Sequence, residues 1–283
     1  MKKSFLGLMG LFGLMLTSVT SCGATTFDNT KLVIGLECNY APFNWSEIAP
    51  NDYTLKVANK TNMWADGYDV QIGKILSEKL EIPVEIHQID WDSLIPELTF
   101  GNINAVIAGM TDTEERRLSI DFTDEYYRSE LVLITSKSVA DLYTGSLSET
   151  EFAELIQNKM IVSQSMTVTD DVIEIFEEKY GAIHNNPVSS FALAAQDVVS
   201  GSAFAMTAEL PVAKSIVSTL DTLGIIHMDQ SILGETQSEL GVSIGIAKGN
   251  TELANMINEA LSEISIQERN DLMEAAVIRS ANY

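Results

Sequence analysis

From residue 31 onward the chain alternates short β-rich apolar runs with amphipathic helical stretches, and this alternation constrains the fold more than any other feature. The runs "KLVIGLE", "PVEIHQI", "NAVIAG", "LVLITS", "MIVSQ", "AFAMTA" and "GVSIGIAKG" read as strands. Between them, "YDVQIGKILSEKL" places Ile72, Ile75, Leu76 and Leu80 on one helical face. "WDSLIPELTF", "ETEFAELIQ", "VTDDVIEIFEEKY", "SFALAAQDVVSG" and "PVAKSIVSTL" read as further helices. "TELANMINEALSEIS", entered through a Thr251 or Asn250 cap, and "IQERNDLMEAAVIRS" are the last two. Such a pattern implies an α/β fold with mostly parallel sheets covered on both faces. Residues 46–66 are polar and aperiodic and read as a long loop or a small excursion.

The first residues have a different logic. Lys2 and Lys3 precede an apolar run from Phe5 to Leu16, too short for the ~20 residues of a membrane-spanning helix. This is an export signal and takes no part in the fold. Its end, Val19-Thr20-Ser21-Cys22, resembles a bacterial lipobox, which implies that Cys22 becomes the acylated first residue of the mature protein. The roughly 260 residues that follow exceed a typical domain of about 100–150, so two lobes are expected.

Acidic residues outnumber basic ones 40 to 17, for a formal net charge of −23. That balance argues against nucleic-acid binding, which needs a basic footprint, and it gives cationic solutes a favourable long-range field. With Cys22 acylated, Cys38 stands alone beside a strand and reads as an inert buried thiol. His87, His184 and His227 lack ligand spacing, so no metal site and no cofactor is expected.

Open α/β sheets bind ligands at the carboxyl ends of their strands. Four such ends carry polar or aromatic groups: "ECNYAPFNW", "GMTDTEERR", "SQSMTVTDD" and "TAELP". In the second, Thr111 or Thr113 can cap the helix bearing Arg116. A guanidinium near a helix start opposes the helix dipole, yet it suits a bound carboxylate. The other reading is a surface arginine paired with Asp112 or Glu115. Glu209, before Leu210-Pro211, either neutralises an ammonium or favours a helix dipole.

"ECNYAPFNW", "GYDVQIGKILSEKLEIPVEI", "GNTELANMINEAL" and, most specifically, Trp91 to Tyr127 resemble the extracellular solute-binding proteins of polar amino acid ABC transporters. The resemblance implies two doubly wound α/β lobes joined by two crossover strands, the periplasmic binding protein-like II fold. Residues 1–21 would be the signal and 22–26 a lipidated linker. Residues 27–128 and 234–283 would form one lobe and 129–233 the other, with crossings near Tyr127-Arg128 and Gly234. It implies that Arg116 clamps the ligand's α-carboxylate with help from Thr111 and from the turn around Thr167 and Val168. Gly109, through its carbonyl, and Glu209 would hold the α-ammonium. Tyr40 and Trp91 would sandwich the side chain, and Glu37 would meet its polar end; Met110 and Ser165 complete the set on the same two turns. The family usually has Gly where Met166 stands, and more often Asp where Glu209 stands.

The expected ligand is a basic L-amino acid, arginine or lysine, with glutamine, histidine or cystine as alternatives. The expected partners are that amino acid, an ABC permease and the membrane through the lipid anchor, with the protein a monomer on the outer face of the cell membrane. Two other classes are weighed. "GVSIG" matches G-x-S-x-G, but it continues as a strand where a nucleophile elbow would turn. A dehydratase on the same fold would use Glu209 or Glu37 as general acid. A sensor ectodomain would need a transmembrane helix and signalling domain, and neither follows "RSANY".

One acyl chain holds a protein only marginally, so more than one is expected at Cys22. Replacing Cys22 by alanine should move the protein from the membrane to the soluble fraction on ultracentrifugation. Retention with the membranes would contradict the assignment.

Overall fold

The computed structural model describes residues 30–281, so Cys22 and the signal lie outside the described residues. The chain forms two α/β lobes and a small antiparallel sheet. The first lobe's sheet has the order Val84–Gln88, Leu32–Leu36, Ala105–Val106, Gly241–Ala247, Ile120–Arg128. The second lobe's sheet has the order Ser146–Leu147, Leu223–Met228, Leu131–Ser136, Ala205–Glu209, Met160–Val162, Ile183–His184.

Both sheets are more mixed than the alternation implied, and chain direction explains why. Ile120–Arg128 leaves the first lobe, and Leu131–Ser136 enters the second. Leu131–Ser136 runs antiparallel to both of its neighbours. Gly241–Ala247 returns to the first lobe and likewise runs antiparallel to both of its neighbours. A strand that arrives across the cleft runs away from it, whereas strands delivered by crossover helices run toward it. The carboxyl ends of the parallel strands in both sheets therefore face the shared cleft.

The helix Tyr68–Leu80 buries Tyr68, Ile72 and Leu76 and stops where Glu81 adopts a left-handed conformation with φ 54°. Each such apolar side chain contributes about 1.5–3 kcal/mol on burial. Ile75 and Leu80 are only partly covered. The helix Val168–Tyr180 is capped by the Thr167 side chain and ends at Gly181. Among the described residues no helix is long and apolar enough to cross a membrane.

Residues 46–66 contribute to a four-stranded antiparallel sheet in the order Asn39–Tyr40, Asn44–Glu47, Trp64–Asp66, Leu55–Lys56. Asp66 anchors it. Its buried carboxylate accepts from Arg279 Nε at 3.0 Å and Nη2 at 2.9 Å. The Arg279 guanidinium also lies 4.3 Å from the Tyr53 ring centroid. The C-terminal helix Ile266–Ser280 is thereby tied to the strand beneath Trp45, which is itself fully buried.

Removing one partner of a buried pair leaves an uncompensated charge, at a cost of about 3–5 kcal/mol. Arg279→Ala should lower unfolding free energy by that order in urea titration. An unchanged midpoint would mean that Asp66 is adequately solvated without its partner.

Candidate functional site

The strand Leu32–Leu36 is wholly buried and breaks at Cys38, whose φ of 62° turns the chain sharply. Its thiol is buried, and burial pushes its pKa up to about 12, in keeping with an inert role. The Cys38 amide donates to Asn44 Oδ1 at 2.7 Å. Asn44 Nδ2 donates to Asp69 Oδ2 at 2.8 Å, and Tyr126 Oη donates to Asp69 Oδ1 at 2.6 Å. Tyr126 Oη in turn accepts from the Gly109 amide at 3.0 Å. This buried chain of hydrogen bonds locks the turn carrying Glu37 and Tyr40 to the turn carrying Gly109 and Thr111. Burial raises the Asp69 pKa to about 7 against the bonds from Tyr126 and Asn44.

Gly109 has φ +61°, and a Cβ there would lie 2.8 Å from Tyr40 Cε1 and 3.2 Å from the Phe43 ring. Only glycine permits that approach. Tyr40 stacks on Phe43 with centroids 5.2 Å apart, and Phe191 of the second lobe covers it at 4.8 Å. Phe43 is fully buried under the loop.

Thr113 caps the short helix Glu114–Arg117 through the Arg116 amide. Asp112 pairs with Arg117, so it is not the partner of Arg116. The half-buried Arg116 guanidinium donates from Nη1 to the Thr111 carbonyl at 2.7 Å and from Nη2 to the Met166 carbonyl at 2.9 Å. It lies 5.3 Å over the Trp91 ring, whose Nε1 donates to the same Met166 carbonyl at 3.1 Å. Among the described residues no carboxylate pairs with Arg116, and burial lowers its pKa.

From the second lobe, Met166 adopts φ 61°, the left-handed conformation that glycine takes most readily. Gln164 Nε2 donates to Glu37 Oε1 at 3.1 Å and to the Ser189 carbonyl at 3.2 Å. Burial pushes the Glu37 pKa up to about 7, against the hydrogen bond from Gln164. Glu209 ends the strand Ala205–Glu209, and its Oε2 accepts from Tyr40 Oη at 2.6 Å. Burial raises its pKa also.

These groups line a cavity between the lobes. Glu37, Tyr40, Trp91, Gly109, Thr111, Arg116, Thr167, Val168 and Glu209 line it, as do Gln164, Thr169 and Phe191, which the sequence reading did not single out. Gln164 and Thr169 lie in "SQSMTVTDD" and were visible as polar residues at a strand end. Phe191 carried no signal beyond being apolar on an amphipathic helix. Met110 and Ser165 stand off this cavity. The buried Met110 gives its carbonyl to the Ser243 amide at 2.9 Å, and Ser165 gives its amide to the Val188 carbonyl at 2.8 Å. Ser243 lies within the strand Gly241–Ala247. No group of three His, Cys, Asp or Glu side chains is placed to hold a metal ion among the described residues. A fixed cation lining the same cavity as a buried carboxyl, Glu37, and a half-buried one, Glu209, suits a small dipolar solute.

The model for bacterial extracellular solute-binding proteins, family 3, matches residues 32–274. The arginine-binding extracellular protein ArtP of Bacillus subtilis is 26% identical over 254 residues, with 87% of each chain covered. The L-arginine-binding protein of Pseudomonas aeruginosa is 27% identical over 273 residues, covering 93% of this chain and 92% of its own. A solved amino acid ABC transporter substrate-binding protein, AbpA of Streptococcus pneumoniae bound to L-arginine, shares the fold with a TM-score of 0.71. It is 22% identical and covers 89% of this chain and 97% of its own.

Because folding raises the Glu37 pKa from 4.5 to about 7, the folded state binds a proton more tightly than the unfolded one. Its contribution is fully present below pH ~4.5 and is lost as pH rises through ~7, by about 3 kcal/mol at most. Native protein should therefore lose more stability between pH 5 and pH 8 than Glu37→Gln does, as read by thermal unfolding at each pH. Equal losses would contradict the burial argument.

Proposed function

The chain belongs to the bacterial extracellular solute-binding proteins of family 3, and on that premise we propose that it captures a basic L-amino acid, arginine or lysine, and delivers it to the permease of an ABC importer. The carrying observation is the Arg116 guanidinium, held by two carbonyls, with no carboxylate partner among the described residues, lining the same cavity as Glu209 and Glu37.

A ligand carboxylate placed on Arg116 gains two parallel, charge-assisted N–H···O bonds. Thr111 and the turn at Thr167 and Val168 flank that position. The ligand's ammonium meets Glu209 and the Gly109 carbonyl, and its positive charge draws Glu209 into the ionised form. The side chain runs past Trp91 toward Glu37 and Gln164. A guanidinium or ammonium there favours ionised Glu37 and recovers part of its lost hydration. The relatives named for arginine support this choice over a neutral ligand. Glutamine is the second reading, because Glu37 already accepts an amide hydrogen bond, from Gln164.

The protein is read as a binder without turnover, monomeric, and held by lipid on Cys22 at the outer face of the membrane. Residues 27–128 with 234–283, and residues 129–233, act as the two closing lobes.

Truncating one partner of a buried charge pair costs about 2–5 kcal/mol. Arg116→Ala should weaken amino-acid binding by at least roughly thirtyfold in calorimetry, with unchanged circular dichroism. In the same experiment arginine or lysine should bind native protein more tightly than glutamine, histidine or cystine. An unchanged dissociation constant in the variant would remove Arg116 from the site, and tighter binding of glutamine than of either cation would replace the basic ligand with the amide.

A further inference from the structure

We propose that Phe191 sets the selectivity of the cleft by filling the face of Tyr40 that a flat side chain would need. This rests on the reading of the cavity as an amino-acid site and adds a residue and a ligand class to it.

Tyr40 has no room to retreat. Phe43 stacks on it nearly in parallel, at an interplanar angle of 11°. Gly109 packs against its edge so closely that a Cβ there would lie 2.8 Å from Tyr40 Cε1. Its hydroxyl is bonded to Glu209 across the cleft. Phe191 approaches from the other lobe at 4.8 Å with a 30° tilt and is 5% exposed.

Phe191 is fixed in turn by its place in the chain. It is the first residue of the helix Phe191–Ser200, and the preceding Ser190 caps that helix through the Leu193 amide at 3.3 Å. The carbonyl of Ser189 accepts from Gln164, the residue that also bonds Glu37. One side-chain amide thus links Glu37 to the segment that leads into Phe191. A ligand that pushed Phe191 aside would also strain the Glu37–Gln164 contact.

Trp91, Thr169 and Glu37 line the same cavity as Tyr40 and Phe191, so a ligand side chain that leaves the two rings in contact has these residues as its neighbours. That lining suits an unbranched chain with a polar or cationic end. An aromatic side chain would have to unstack Phe191 from Tyr40, losing a ring contact of the kind that aromatic pairs favour.

The test is calorimetry of native protein, Phe191→Ala and Phe191→Leu with arginine, lysine, phenylalanine, tyrosine and histidine, with far-ultraviolet circular dichroism and thermal unfolding as folding checks. In Phe191→Ala the affinity for phenylalanine, tyrosine or histidine relative to arginine should rise by about tenfold or more. Phe191→Leu keeps an apolar cover without the ring and should fall between the two; it decides the matter if the alanine variant does not fold. Ratios unchanged within about twofold in a folded variant would make Phe191 a packing residue and overturn this inference alone. If native protein binds none of the five, the basic-ligand reading fails and this inference fails with it.

Discussion

A guanidinium half-buried between two lobes, with only carbonyl oxygens to receive it, is the constraint on which the rest of this structure depends. Taking such a charge out of water is costly unless it is fully hydrogen-bonded. Arg116 meets that requirement with one carbonyl from its own turn, Thr111, and one from the other lobe, Met166. Neither carbonyl neutralises it. The Trp91 face adds cation–π attraction, and Trp91 itself bonds the same Met166 oxygen. One acceptor on a left-handed turn thus receives both Arg116 and Trp91 from the other lobe, and the cation remains available to an anion.

The carboxyls across the cavity obey the same electrostatics with the opposite sign. Burial raises the pKa of both Glu37 and Glu209, so each resists being charged alone. A dipolar ligand supplies what each wall lacks: an anion for Arg116 and a cation for the acids. Both walls are held by structure rather than by loose side chains. The Asn44–Asp69–Tyr126 chain fixes the Gly109 turn, and Gln164 joins Glu37 to the loop before Phe191. The net charge of −23 acts at longer range, favouring the approach of cations in a field that salt screens.

Much of this was legible in the sequence, for identifiable reasons. Tyr68–Leu80 and Val168–Tyr180 stand where helical periodicity placed them, because their buried faces recur every three or four residues. Ile120–Arg128 was not read as a strand, since charged and apolar residues mix along it as it passes from one sheet edge toward the crossover. Leu223–Met228 was missed because Gly224 and His227 interrupt its apolar run and its burial alternates irregularly. The small sheet in residues 39–66 has too few residues per strand to show a period. At the cavity, residues on strand ends were visible because polar side chains stand out against apolar strands. Phe191 was not, because a residue that reaches the cleft from a helix start looks like any other core residue until the two lobes are seen together.

The most direct test of this account is a crystal structure with the tightest-binding amino acid. The account predicts that both α-carboxylate oxygens lie within hydrogen-bond distance, ~3 Å, of the Arg116 guanidinium, and that the ammonium lies on Glu209. An amino acid whose carboxylate is held elsewhere, with Arg116 still bonded only to the carbonyls of Thr111 and Met166, would contradict it.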